Sequence, residues 1–255
     1  MKKIIILFIG FTILMFSSCD LLEDSSLTEE EIVKGLKTAL ELGTDTSTTV
    51  LSAVDGYYKD EAVKLLLPPE GEKMLNYISI IETIAGSGYV EQTIKSINRS
   101  AEDAAKEAKP IFINAITGMT IQDGLNILQG NSGNGADFDS TAATNYLISK
   151  TYTNLVDVYA PKIDVALDKD LLGKGASANE LWTILVTAFN TAVTLNLIND
   201  DKIDSELTLG EYATGRALDG LFLKVSDEEK KIRKNPYEWA LDIIQKVFGS
   251  VYEGS

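Results

Sequence analysis

Apolar and polar positions along most of this chain recur with the three-to-four-residue period of amphipathic helices. The first such stretch opens at Thr28, with Glu31 three residues on as a capping box. Ile32, Leu36, Ala39 and Leu40 follow at helical spacing, and Gly43 is predicted to close the segment. A second helix is predicted over 46–55, ending at Asp55-Gly56. Residues 61–67 are apolar without helical phase and read either as a short strand or as an extended lead into Pro68-Pro69, which ends whatever precedes it. A helical pattern over 68–85 carries Met74, Ile78, Ile81 and Ile84 and is broken by Gly86 and Gly88. The longest candidate, 89–118, has Val90, Ile94, Ile97, Ala101, Ala105 and Ala108 on one face, and Pro110 predicts a kink or restart. Thr120 with Asp123 caps a short helix to Gln129.

Gly130 to Ser140 is a loop rich in glycine and asparagine. A long helix over 141–167 is predicted to be interrupted near Pro161, and 168–178 is a loop. A helix follows over 178–198, then an acidic connector over 199–206. The cleanest amphipathic helix runs from Thr208 to Lys234, Asn235-Pro236 interrupts it, and 236–251 is the last helix. With no repeat, no linker-like stretch and no alternation of strands with helices, the pattern predicts an all-α fold. It is one multi-helix domain of roughly eight helices over 27–251, with a minor β element at 61–67 as its one alternative.

The N-terminus departs from this periodicity. Lys2 and Lys3 precede 13 uncharged residues, Ile4 to Phe16, and then Ser17-Ser18-Cys19, the one cysteine of the chain. A spanning helix needs about 20 apolar residues, so this run fits a cleaved signal peptide over 1–18. Small residues ending at a lone cysteine predict lipid attachment at Cys19. Residues 20–26 then form an acidic tether reaching at most about 24 Å. The expected location is the cell envelope, lipid-anchored at the outer membrane or periplasmic face, with the membrane as partner through that anchor.

Charge narrows the partners. Without residues 1–18, which contain Lys2 and Lys3, 21 basic residues face 38 acidic ones, a net charge of −17. Such a surface is a poor match for nucleic acid, which needs a clustered basic face. The absence of histidine from the sequence removes Ser-His-Asp and Cys-His catalysis and the usual zinc ligand sets. No metal and no cofactor is expected. The acidic run 199–206 lacks EF-hand spacing, with Lys202 where a ligand belongs. The GNSGNG run at 130–135 lacks the lysine and hydroxyl that complete a phosphate loop.

Arginine is scarce, with Arg99, Arg216 and Arg233 set against 20 lysines. Each has a carboxylate at helical spacing: Glu102 for Arg99, Asp219 for Arg216, Glu229 for Arg233. Arginine is retained where a planar, bidentate donor is needed. The set therefore reads either as a ligand-binding polar cluster or as structural ion pairs. Tyr57, Tyr58, Tyr146, Tyr152 and Tyr159 recur on apolar faces and are expected in the core, each hydroxyl reaching a partner.

The blocks GLKTAL (35–40), DGYY (55–58), NRSAEDAAKEAKPIF (98–112), AITGMT (115–120), AATNYL (142–147), RALDGLF (216–222), EEKKIRKNP (228–236) and KVFG (246–249) occur in order. Together they resemble the bacterial family labelled domain of unknown function 4197, over about residues 27–249. The resemblance implies a helical, exported, often lipid-anchored protein with no assigned activity. It places Asn98, Arg99 and Glu102 in the motif core, with Thr144, Tyr146, Asp219, Glu229 and Arg233. Ser100, the long Gly130–Ser140 loop and Tyr237-Glu238-Trp239 depart from the family pattern. The leading functional expectation is a non-enzymatic binding or scaffold module with an envelope protein or small molecule as partner. The alternatives are an envelope hydrolase built on the carboxylate and arginine cluster, or a carrier with an apolar cavity.

Overall fold

Thr28 caps the first helix as its sequence predicts. Its hydroxyl accepts the Glu31 amide at 3.2 Å, and the Glu31 carboxylate accepts the Thr28 amide at 2.9 Å. The computed structural model describes residues 27–130, 138–204, 206 and 208–252 of the chain. The predicted signal peptide, Cys19, the tether and most of the glycine-rich loop lie outside the described residues.

The chain is all-α. Helix α1 spans Glu29–Ser52. A helical turn, α2 (Pro69–Glu72), runs through a 3-10 segment into α3 (Ile78–Ala85). Then come α4 (Tyr89–Ala105), α5 (Ala108–Thr117), α6 (Ile121–Leu128), α7 (Ala142–Leu167), α8 (Ala178–Thr194), α9 (Leu209–Lys234) and α10 (Asp242–Tyr252). Nine of these have eight residues or more, against the eight predicted. Helices α1, α4, α7 and α9 form the centre. The pair α5 and α6 packs on α1 and α7, α8 packs on α4 with α3 outside it, and α10 packs on α1. One continuous apolar core joins them, with Leu36, Leu51, Ile97, Phe112, Leu155, Phe189 and Leu221 almost wholly removed from water.

Several predicted boundaries move, each for a tertiary reason. Gly43 does not close α1, which continues through the predicted second helix to Ser52. A Cβ at Gly43 would lie 3.4 Å from the Glu228 Cβ, so this glycine marks close approach to α9. The alternative strand at 61–67 does not form. A turn leads into backbone without regular structure, and the buried Asn98 carboxamide takes the place of a partner strand. It accepts the Leu65 amide at 2.9 Å and donates to the Leu65 carbonyl at 2.7 Å. Asn190 does the same for buried Ile203 in the acidic connector, with both bonds at 2.8 Å.

Gly86 and Gly88, at φ 127° and 78°, end the α3 segment as predicted. The break in 89–118 falls at Lys106-Glu107. It leaves Pro110 in the first turn of α5, where a missing N–H costs no helical bond. Pro161 does not interrupt α7. It is exposed, and so is Asp157, whose carbonyl loses its helical donor. The last helix begins at Asp242, after a 3-10 turn at Pro236–Glu238.

Candidate functional site

The three arginine groups occupy different places in the fold. Arg99, on α4, donates to Glu102 Oε2 and to Asp55 Oδ1, each at 2.5 Å. Asp55 sits in the turn after α1 with φ 70° and also binds Lys59 at 2.8 Å. The remaining Glu102 oxygen accepts the amides of Tyr57 and Tyr58 at 3.3 and 3.4 Å. Hydrogen bonds from Lys59 and then Arg99 hold the Asp55 carboxyl down at about 2. Burial pushes Glu102 the other way, above the ordinary carboxylate range, against the pull of Arg99. Asn98 lies next to this group in sequence but spends its carboxamide on Leu65 and on the Ile94 carbonyl.

Glu229 and Arg233 form a second closed group on α9. Glu229 accepts the amides of Ala143 and Thr144 at 3.0 and 2.8 Å, and the Thr144 hydroxyl at 2.8 Å. Those are the second and third residues of α7, whose own N-cap, Thr141, makes no side-chain cap. Glu229 therefore caps α7 from another helix and complements the positive end of its dipole. Arg233 donates to Glu229 Oε1 through Nε at 3.0 Å and Nη2 at 2.8 Å. It also donates to the carbonyls of Ile127 and Leu128, which end α6. The Phe138 and Phe248 rings lie 5.5 and 5.8 Å from its guanidinium carbon. One ion pair, with side chains 4% and 8% exposed, thus holds both ends of the α6-to-α7 connection.

Arg216 and Asp219 are 3.2 Å apart and both more than half exposed, so they form a solvated surface pair. A slot of about 10 Å³, at most one water in size, lies beside Glu229 and Arg233. The expected tyrosine pattern also divides. Tyr57 and Tyr159 are wholly buried. The Tyr57 hydroxyl donates to the Ala217 carbonyl at 2.8 Å, while that of Tyr159 has no partner among the described residues. Tyr58 bonds Glu91 and lies beneath the Lys64 and Lys95 ammonium groups; Tyr152 is exposed.

Two open concavities flank α7, and a third of about 370 Å³ lies between α1 and the start of α6. One of about 430 Å³ lies between α5, the start of α6 and α7, with Ile111, Asn114, Asp123, Tyr146, Lys150 and Asn154 in its wall. Another of about 400 Å³ lies between α7 and α9, lined by Ile148, Tyr152, Phe222 and Leu223 with Asn145 and Asp219. Sequence reasoning singled out Tyr146 and Asp219 but not Asn114, Lys150 or Asn154. The AITGMT and AATNYL blocks do meet at the first groove, through Ala115, Gly118, Thr120 and Tyr146.

Among the described residues no group of three or more acidic or thiol side chains is placed to hold a metal ion. Nor is any described helix long and apolar enough to cross a membrane. A family model described as "Protein of unknown function (DUF4197)" matches residues 26–249. No curated protein and no solved structure matches the chain.

Proposed function

The chain belongs to the DUF4197 family of proteins of unknown function, and on that premise we propose that it is a lipid-anchored, non-enzymatic binding module of the cell envelope. Lys2, Lys3, the 13-residue apolar run and the Phe16-Ser17-Ser18-Cys19 junction support processing and lipid attachment at Cys19. Two or more acyl chains make such an anchor stable, where one binds only marginally. A tether of seven residues keeps the helical domain close to the outer membrane or the periplasmic face that carries it.

One observation carries the non-enzymatic part. Glu102 and Glu229 each accept two consecutive main-chain amides while paired to an arginine. A carboxylate so engaged positions backbone; a general acid or base must instead reach a substrate proton. Polar side chains do face solvent in the grooves beside α7, and a groove with a few convergent polar groups suits binding.

Detergent phase partitioning tests the anchor. The wild-type chain is expected in the detergent phase and with membranes, and Cys19→Ser in the aqueous phase. Unchanged membrane retention of Cys19→Ser would refute lipid attachment there. A panel of chromogenic esters, glycosides and phosphate esters tests the second half. Turnover abolished by Glu102→Gln or Glu229→Gln in a folded variant would overturn the non-enzymatic reading.

A further inference from the structure

The groove between α5, α6 and α7 brings together two carboxamides without a partner and a lysine without a salt bridge among the described residues. The Asn114 and Asn154 carboxamides, on α5 and α7, both line it and make no hydrogen bond to a described residue. Lys150 makes no salt bridge within 4 Å among the described residues; its ammonium lies 5.5 Å from the centre of the Tyr146 ring and acts on the Asp123 carboxylate only from longer range. The Asp123 carboxylate is already engaged, accepting the Thr120 amide at 3.1 Å and the Thr120 hydroxyl at 2.7 Å.

We infer that this groove binds a sugar acid, a hydroxyl-rich molecule of one or two rings bearing a single carboxylate. The inference deepens the binding-module reading and rests on it. Each carboxamide offers two donors and an acceptor, which suits hydroxyls that both give and accept hydrogen bonds. Tyr146 is half-buried, and its ring supplies an apolar wall for the C–H face of a sugar. Lys150 is the one cation in the groove wall, so it selects an anionic group. Asp123 close by disfavours a doubly charged phosphate and leaves a monocarboxylate as the better match. The volume of about 430 Å³ lies within the range of small-molecule sites, roughly 300–1,000 Å³. The groove is open, and a ligand of this size gains little per atom there, so the expected dissociation constant is about 1 mM.

The test is an NMR titration of the full chain, isotope-labelled and held in detergent micelles, with glucuronate as the probe. Saturable shifts are expected at the amides of Asn114, Gly118, Tyr146 and Lys150. Glucose, which lacks the carboxylate, and acetate, which lacks the ring, should each bind about tenfold more weakly. Lys150→Ala should weaken glucuronate about tenfold, while Lys150→Arg stays within about threefold of wild type. Lys150 is exposed, so both variants should keep the wild-type melting curve. The inference is overturned if glucuronate gives no saturable shift up to about 20 mM. It is also overturned if acetate matches glucuronate, if Lys150→Ala binds unchanged, or if the shifts fall in the α7–α9 groove instead. Adding the methyl glycoside of glucuronic acid separates this inference from the reading beneath it. Binding with cleavage would uphold the site and refute the non-enzymatic role, while binding without cleavage supports both.

Discussion

At the residue scale, what distinguishes the arginine pairs is burial. Glu229→Gln keeps the side-chain size, but its NH2 replaces one of the two oxygens that cap α7, and Arg233 is left buried beside a neutral amide. Removing one partner of a buried pair costs about 3–5 kcal/mol, because the other charge stays uncompensated. Urea unfolding should show a loss of that order, and Glu229→Gln with Arg233→Met should lose less than Glu229→Gln alone. A double variant weaker than the single one would mean that Arg233 acts chiefly through the α6 carbonyls. Arg216→Ala, at an exposed pair, should change stability by less than about 0.5 kcal/mol. Asp55 adds a pH dependence with a definite sign. Its carboxyl lies at about 2 in the folded chain against an ordinary 3.8. The unfolded chain therefore binds the proton first, and the Asp55 contribution is present above 3.8 and lost as pH falls toward about 2. Glu102, held above its ordinary range by burial, runs the other way. Denaturant midpoints measured across that window should fall less steeply with acid for Asp55→Asn than for wild type. An identical slope would show that the Asp55 partners do not survive in solution.

At the scale of elements, what was legible in the sequence was what is local. The caps at Thr28 and Thr120 need only a residue and its third neighbour, and both form as read. The i, i+4 pairing of Glu229 with Arg233 was legible too. Its purpose was not, because the amides it caps lie 85 and 86 residues away. Gly43 and Pro161 misled for the same reason. A glycine that ends a helix and one that admits a neighbouring helix are identical in sequence, and so are a proline that breaks a helix and one on an exposed face that the helix accommodates. Gly35 illustrates the second role of glycine. A Cβ there would lie 2.5 Å from Val247 Cγ2 and 3.1 Å from the Ile243 carbonyl oxygen, both on α10. Gly35→Ala gains helix propensity within α1, worth about 1 kcal/mol. Overpacking costs about 1–3 kcal/mol, and a backbone carbonyl cannot rotate away, so the clash should win. The expected outcome is a net loss of stability with faster proteolysis between Trp239 and Leu241, where α10 connects to the body. A more stable Gly35→Ala variant would show that α10 does not seat on α1 as described.

At the scale of the whole molecule, the charge balance sets a further expectation. Outside residues 1–18, 38 acidic residues face 21 basic ones, so even complete pairing would leave 17 carboxylates without a cation. Several of the ion pairs that do form, such as Lys106–Asp103 and Lys109–Asp45, are about half exposed, and pairs of that kind contribute little. The buried Arg233–Glu229 pair and the partly buried Arg99–Glu102 pair are better shielded from solvent ions and should respond less to salt. Self-repulsion of the excess acid is long-ranged and acts mainly on the compact state. Its range falls from about 30 Å at 0.01 M salt to about 3 Å at 1 M. Repulsion should therefore be screened more than attraction, and added salt should stabilise the fold. For a domain of this size about 1 kcal/mol corresponds to about 2–4 °C in the melting midpoint. Sodium chloride raised from about 0.02 to 0.5 M should lift the midpoint by a few degrees. The same change should have a smaller effect at a pH near 4.5, where the chain approaches its isoelectric point. A midpoint that falls with salt would mean that attractive pairs outweigh the surplus carboxylates, and that the acidic surface is organised into local networks.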